Sequence, residues 1–290
     1  MASWSCTSPR PRCKALSARA AGPGLSLHQL TALALTPVEL VDLAAALGCT
    51  HVGLFTCLPP GIATRFPCIA TAEQEAAVAE RLMATGVRVN NAEVFALREE
   101  IALTIYQEGL GRAARLGARV VTVHQHAPSS RAGQALLAAF CDLAAAHGLR
   151  VALEFTSFSA VRSLHTALHY LEAIQHPAAC LAIDTLHLFR NGGDPAEVGM
   201  IPREWIGYLQ LCDGPMVPPD DPYHEAVAAR AMPGAGEFPL ADLLGELRPD
   251  ILVDVEVPSA AAQQRQTAGE HAAAAVESTR NLMRQAGWRC

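Results

Sequence analysis

Short apolar runs, each followed by a stretch with helical patterning, recur along this chain at intervals of about thirty residues. No other feature limits the fold as strongly. The runs start near residues 25, 51, 87, 119, 151, 180, 206 and 251. Leu25–His28 reads as a strand, Thr36 as the cap of a helix through Ala46, and Gly48 as its stop. Thr50–Phe55 is the second strand, with a Pro-containing loop at 58–67 and a helix over 72–84. Val87–Phe95 and Arg119–His124 follow, with helices predicted over 98–115 and 132–147. Val151–Leu153 and Leu181–Ile183 form the fifth and sixth units, Trp205–Leu211 the seventh strand and Ile251–Val257 the eighth. A closing amphipathic helix is expected at 262–285. Eight strand–helix units with continuously apolar strands predict a closed parallel (β/α)8 barrel, a TIM barrel, as one domain over residues 23–290. No Gly-x-Gly-x-x-Gly follows the first strand, which argues against a dinucleotide fold. Residues 1–22 are basic, Ser/Pro-rich and aperiodic, and read as a disordered tail.

Composition removes several function classes. Lys14 is the only lysine, and it lies in that tail, so neither imine chemistry nor a phosphate loop has its lysine. A formal charge of −6 lacks the basic footprint of a nucleic-acid binder. No apolar run reaches the ~18 residues of a membrane span. Nine scattered cysteines without a CxxC pair suggest reduced thiols and a cytoplasmic protein. Cys57, Cys141, Cys180 and Cys212 fall in or beside apolar segments and read as small core residues.

The strand ends carry the chemistry. In this architecture catalytic groups sit at the C-terminal tips of the strands. The polar residues there are His28, Glu93, His124, Glu154, Asp184, Gln210 and Glu256. Glu154, Asp184, Gln210 and Glu256 come from strands five to eight, which are neighbours round a barrel. A carboxylate inside an apolar strand is costly unless it has a partner, and these four oxygen donors can converge on one cation. Such a hard, oxygen-rich set suits one divalent ion, Mn²⁺, Mg²⁺ or Co²⁺, better than structural zinc. His187 stands three residues beyond Asp184, placed to contact substrate or carry a proton. His28, Glu93 and His124 point into the same mouth as candidate substrate contacts. The longest connection, 213–238, is rich in Pro, Gly and Asp and reads as a binding loop. In it Arg230 precedes a Pro-Gly-Ala-Gly turn, where a guanidinium could pair a phosphate or carboxylate bidentately at the substrate end remote from the metal. Asp213 and His224 share that loop as shaping residues.

Five segments carry a resemblance to a known family: LEFTS at 153–157, IDTLH at 183–187, YLQLCDGP at 208–215, RAMPGAGEFPL at 230–240 and VDVEVPS at 253–259. From about residue 24 onward the chain resembles the xylose isomerase-like TIM barrels, which include sugar-phosphate isomerases/epimerases, ketose 3-epimerases, inosose dehydratase and 3-dehydroshikimate dehydratase. The resemblance implies that Glu154, Asp184, Gln210 and Glu256 bind the metal. The epimerases usually carry histidine at the position of Gln210, and a glutamine there looks more like some dehydroshikimate dehydratases.

A metal-dependent isomerase or epimerase of a small sugar or polyol ketone is therefore expected, working by proton abstraction α to a carbonyl through a stabilised enolate. Glu154 and Glu256 are the candidate acid and base, with His187 as a further proton carrier. The alternative is a lyase that dehydrates a cyclic β-hydroxy ketone such as 3-dehydroshikimate or an inosose, favoured by Gln210 and the PGAGEFPL segment. An endonuclease IV-like enzyme on the same fold would need more histidine ligands and a basic surface. The expected partner is a small carbonyl or polyol substrate, with no nucleic acid and no membrane; the sequence is compatible with a monomer or a homo-oligomer.

Overall fold

A computed structural model describes residues 24–59 and 66–289. The tail expected over 1–22 and the middle of the 58–67 loop lie outside the described residues. Eight parallel strands close on themselves in sequence order: β1 (Leu25–His28), β2 (His51–Phe55), β3 (Arg88–Leu97), β4 (Val120–Gln125), β5 (Arg150–Glu154), β6 (Ala179–Asp184), β7 (Ile206–Leu211) and β8 (Val253–Val255), with β8 pairing back onto β1. The expected (β/α)8 barrel is what forms.

Helices wrap the strands: α1 (Pro37–Ala46), α2 (Ala72–Thr85), α3 (Gln107–Arg115), α4 (Arg131–Ala145), α5 (Leu164–Ile174), α6 (Thr185–Arg190), α7 (Pro195–Gly199), α8 (Pro222–Ala228), α9 (Leu240–Glu246), α10 (Ala260–Gln263) and α11 (Ala268–Gln285). Their starts are set by side-chain caps. Thr36 with Glu39, Thr71 with Gln74 and Thr267 with Glu270 form reciprocal capping boxes, which satisfy the first free N–H groups of α1, α2 and α11. The Thr267 box also explains why the closing helix predicted over 262–285 is broken: the chain ends α10 at Gln263 and restarts at Ala268. The helix predicted from 98 begins only at Gln107, after a 3₁₀ turn over Leu103–Tyr106. There the Tyr106 hydroxyl donates to the Ala96 carbonyl and ties the turn to the end of β3. The long connection after β7 holds α8, which the Pro/Asp-rich sequence hides.

Apolar packing lies mainly between strands and helices, where Leu27, Leu54, Phe95, Phe140, Tyr170 and Leu209 are buried. Inside the barrel a smaller cluster of Val120, Ala152, Cys180, Ala182, Tyr208 and Leu252 fills the lumen. Toward the C-terminal end this filling turns polar, with Asn91, Thr122, the Tyr208 hydroxyl and Asp254 all buried. The six described cysteines outside the tail are free thiols; Cys141, Cys180 and Cys212 are buried as expected and Cys57 is half-buried. No described helix is long and apolar enough to cross a membrane.

Candidate active site

Parallel register carries the strand-tip residues to one level. His124 pairs with Glu154 across β4 and β5, and Asp184 pairs with Gln210 across β6 and β7. Gln210 also pairs with Asp254 on β8, so Glu256, two residues further and on the same face, rises to the mouth. All seven predicted tip residues, with His187 and Arg230, meet in one site; all but the half-buried His124 are buried.

Glu154 holds His124 on one oxygen, with Nε2 at 2.7 Å, and faces His187 Nε2 with the other at 3.8 Å. Asp184 is fully buried and caps α6: its Oδ1 accepts the Leu186 N–H at 2.7 Å. Its Oδ2 meets Arg230 Nη1 at 2.8 Å and lies 3.9 Å from His187 Nε2. The other arm of Arg230, Nη2, sits 2.8 Å from Glu256 Oε1. Gln210 donates its amide hydrogens to Glu256 and, at 3.3 Å, to Glu93. Glu93 also accepts from Asn91 and from the Tyr208 hydroxyl, and its second oxygen lies 3.0 Å from His28 Nε2. His28 Nδ1 accepts the Leu30 N–H at 3.2 Å, which leaves Nε2 as the nitrogen that faces Glu93 with a proton.

Charge is unevenly balanced here. Five buried carboxylates, Glu93, Glu154, Asp184, Asp254 and Glu256, face one permanent cation, Arg230. Burial works to lower His28, yet Glu93, Glu256 and Asp254 raise it to about 10. Burial also works against the charge on Asp184, but Arg230 and His187 hold it below its ordinary value. Burial pushes Glu256 well up despite Arg230 and His28, and pushes Asp254 to about 7. His187 is lowered by burial. His124 is raised, because Glu154 outweighs burial.

Two observations fit a divalent cation to these residues. Ligand atoms of Glu154, Asp184 and His187 lie within 4.8 Å of one another, and the buried Gln210 Oε1 has no hydrogen-bond partner. An orphaned carbonyl beside several buried carboxyl groups is the environment a hard cation relieves. His187, expected to contact substrate or carry a proton, is placed as a nitrogen donor as well.

Arg230 departs from its expected place. It is 6% exposed and spans two of the acids, whereas the sequence put it at the far end of the substrate. The loop explains this position. Asp213 accepts the N–H groups of Gly214, Gly234 and Phe238 at 2.8, 2.9 and 3.0 Å and bridges to Ala231, which folds the Pro-Gly-Ala-Gly turn back over the barrel. Gly234 takes φ +82°, and a Cβ on Gly236 would come 2.3 Å from Asp213, so both glycines are needed for the fold-back. Asp213 is thus a shaping residue, as expected; His224 gives its backbone N–H to Asp221 at the start of α8.

The tips open into a cavity of about 270 Å³ with an apolar wall. Phe55, Leu58, Phe66, Val94, Phe158 and Tyr223 line that wall, and Phe158 packs edge-on against both His187 and Tyr223. Residues of the site that the tip reading missed are Asn91 and Asp254. Each lies two positions before a tip acid, Glu93 or Glu256, so strand alternation puts it on the same inward face.

Solved structures with this architecture bear various functions. The IOLI protein, solved with a zinc atom bound, matches with a TM-score of 0.76 at 17% identity, over 90% of this chain and 98% of that one. The probable 3-DHS dehydratase AsbF of Bacillus anthracis matches with 0.68 at 16% identity, over 89% and 99%. The D-allulose 3-epimerase of a Methylomonas species, solved with D-allulose, matches with 0.65 at 15%, over 90% and 97%. No curated protein sequence matches the chain. At these identities the likeness is one of fold. The family model described as xylose isomerase-like TIM barrel matches residues 41–284, and the chain belongs to that family.

Proposed function

We propose that the protein is a divalent-metal-dependent isomerase or epimerase that moves a proton next to the carbonyl of a small sugar or polyol ketone. The carrying observation is the convergence of Glu154, Asp184, Gln210 and Glu256 at one barrel mouth, where the Gln210 amide oxygen is buried without a hydrogen-bond partner. The fold neighbours named as a 3-epimerase and a probable dehydratase support the class. A bound cation, held by Glu154 and Asp184 with Gln210, Glu256 or His187, would supply Lewis acidity toward the carbonyl.

The chain's own groups do the rest. Glu154 is the candidate base: His124 fixes one of its oxygens, so the carboxylate is oriented before substrate arrives. His187, with Nε2 3.8 Å from Glu154 and its ring edge-on to Phe158, and Glu256 at the other side of the site are the groups that return the proton. The apolar wall offers few hydrogen-bonding groups to water on that side of the cavity. His28 and Glu93 form a buried pair that holds the amide of Gln210 in place.

A second reading has its own support. Gln210 in place of an imidazole and the apolar wall of Phe55, Phe66 and Phe158 suit a ring with one polar edge, which a dehydratase of a cyclic β-hydroxy ketone would take. Mn²⁺-loaded protein incubated in D₂O with ketohexoses, inososes and 3-dehydroshikimate separates the two. Deuterium in recovered substrate and product without new absorbance supports the epimerase or isomerase. A conjugated chromophore that grows as water leaves supports the dehydratase. Full retention of a deuterium label placed at the α carbon during turnover contradicts both.

A further inference from the structure

Arg230 occupies the part of the site that a cation would need. The Oδ1 of Asp184 is committed to the Leu186 N–H and the Oε2 of Glu256 to the Gln210 amide. Each carboxylate therefore has one uncommitted oxygen, and Arg230 takes both: Nη1 lies 2.8 Å from Asp184 Oδ2 and Nη2 2.8 Å from Glu256 Oε1. Asp184 Oδ2 is also the oxygen nearer His187 Nε2, at 3.9 Å, so it is the one that faces the cluster of metal-capable atoms. A guanidinium and a divalent ion sharing these two oxygens would stand as like charges a few ångströms apart in a buried site, where repulsion is poorly screened.

The backbone of Arg230 is pinned by its N–H to the Pro258 carbonyl at 3.0 Å and by the neighbouring Asp213–Ala231 bridge. Its side chain has two further ties, Nε to the Ala226 carbonyl at 2.8 Å and Nη1 to Cys212 Sγ at 3.6 Å. The same side chain lines the 270 Å³ cavity, so a rotation moves the guanidinium from the acids into the space a substrate would fill. We propose that Arg230 is the resident counter-ion of Asp184 and Glu256, which a divalent cation displaces, and that the displaced guanidinium becomes a substrate-positioning group. This rests on the metal-dependent reading of the site. It makes metal uptake and exposure of the arginine two sides of one exchange, so anything that draws Arg230 off the acids raises metal affinity.

Mn²⁺ alone is the probe, titrated into full-length parent, Arg230→Met and Arg230→Lys by electron paramagnetic resonance, with thermal melts alongside. Without metal, Arg230→Met leaves two buried acids unpaired and melts lower than the parent. It is expected to bind Mn²⁺ at least tenfold more tightly than the parent, and to gain more melting temperature from the same Mn²⁺ concentration. Arg230→Lys, which keeps a charge but cannot span both acids, is expected between the two and serves if the methionine variant does not fold. Parent-like or weaker Mn²⁺ binding in whichever variants fold overturns the exchange and leaves the metal site standing. Absence of Mn²⁺ binding in the parent and every folded variant overturns the metal site itself, and the exchange with it.

Discussion

Gln210 shows how one side chain can decide what a shared scaffold holds. Its nitrogen is spent on Glu256 and Glu93, while its oxygen is buried without a partner. A buried, unpaired carbonyl costs about 1–3 kcal/mol, which a ligand bond would recover. If the amide oxygen is the ligand, histidine offers a nitrogen lone pair at nearly the same place and leucine offers nothing. Gln210→His is therefore expected to keep Mn²⁺ affinity within about threefold, and Gln210→Leu to lose at least tenfold, a step of about 1.4 kcal/mol. Titration calorimetry reads both. Leucine with parental affinity would remove Gln210 from the ligands. The tip residues could be named from the sequence because strand ends are fixed by where apolar runs stop. The direction of a long side chain is not fixed in that way. Arg230 has several rotatable bonds, and only the tertiary pull of Asp184 and Glu256 tells which way it turns.

At the scale of elements, the two ends of the barrel are built for different tasks. The C-terminal ends gather acids; the N-terminal ends gather bases. His51 opens β2 opposite Arg88 of β3, and Arg119 precedes β4. Burial, then Arg88 and Arg119, lower His51 to about 4, and its Nδ1 lies 2.9 Å from the Thr50 hydroxyl. The unfolded imidazole titrates near 6.5, so between these values the unfolded chain binds the proton that the fold refuses. Stability is full above 6.5 and falls as pH drops toward 4. With solvent screening at this open end the loss attributable to His51 is about 1–2 kcal/mol. His51→Gln should flatten the decline in urea midpoint between pH 7 and pH 4.5 relative to the parent. Identical pH slopes would show that His51 stays paired or solvated on both sides of the transition. Element boundaries followed the sequence where caps and glycines mark them, as at Thr36, Thr71 and Gly86. They failed at residues 98–106 and 264–267. There a tyrosine contact with β3 and a second capping box override the helical patterning.

The whole molecule follows from repetition, which is why the barrel could be read from strand starts alone. A recurring strand–helix unit closes once eight copies twist round, and closure puts every strand tip at one mouth. The layer beneath the mouth was harder to read. Asn91 follows another asparagine in β3 and Asp254 stands alone between two valines in β8, and both gain meaning only when strand phase is tied to the neighbouring tip acid. That layer adds Asp254, whose two oxygens have no hydrogen-bond partner and whose carboxyl burial pushes up to about 7.

The account stands on the acids at this mouth being met by a metal ion. The most direct measurement is the metal content of purified protein after mild chelation and reload with Mn²⁺, set beside a Glu154→Gln, Asp184→Asn double variant that keeps side-chain size. The account predicts close to one equivalent of Mn²⁺ per chain in the parent and essentially none in the double variant, with both proteins folded by circular dichroism. One equivalent retained by the double variant, or none taken up by the parent, would contradict it.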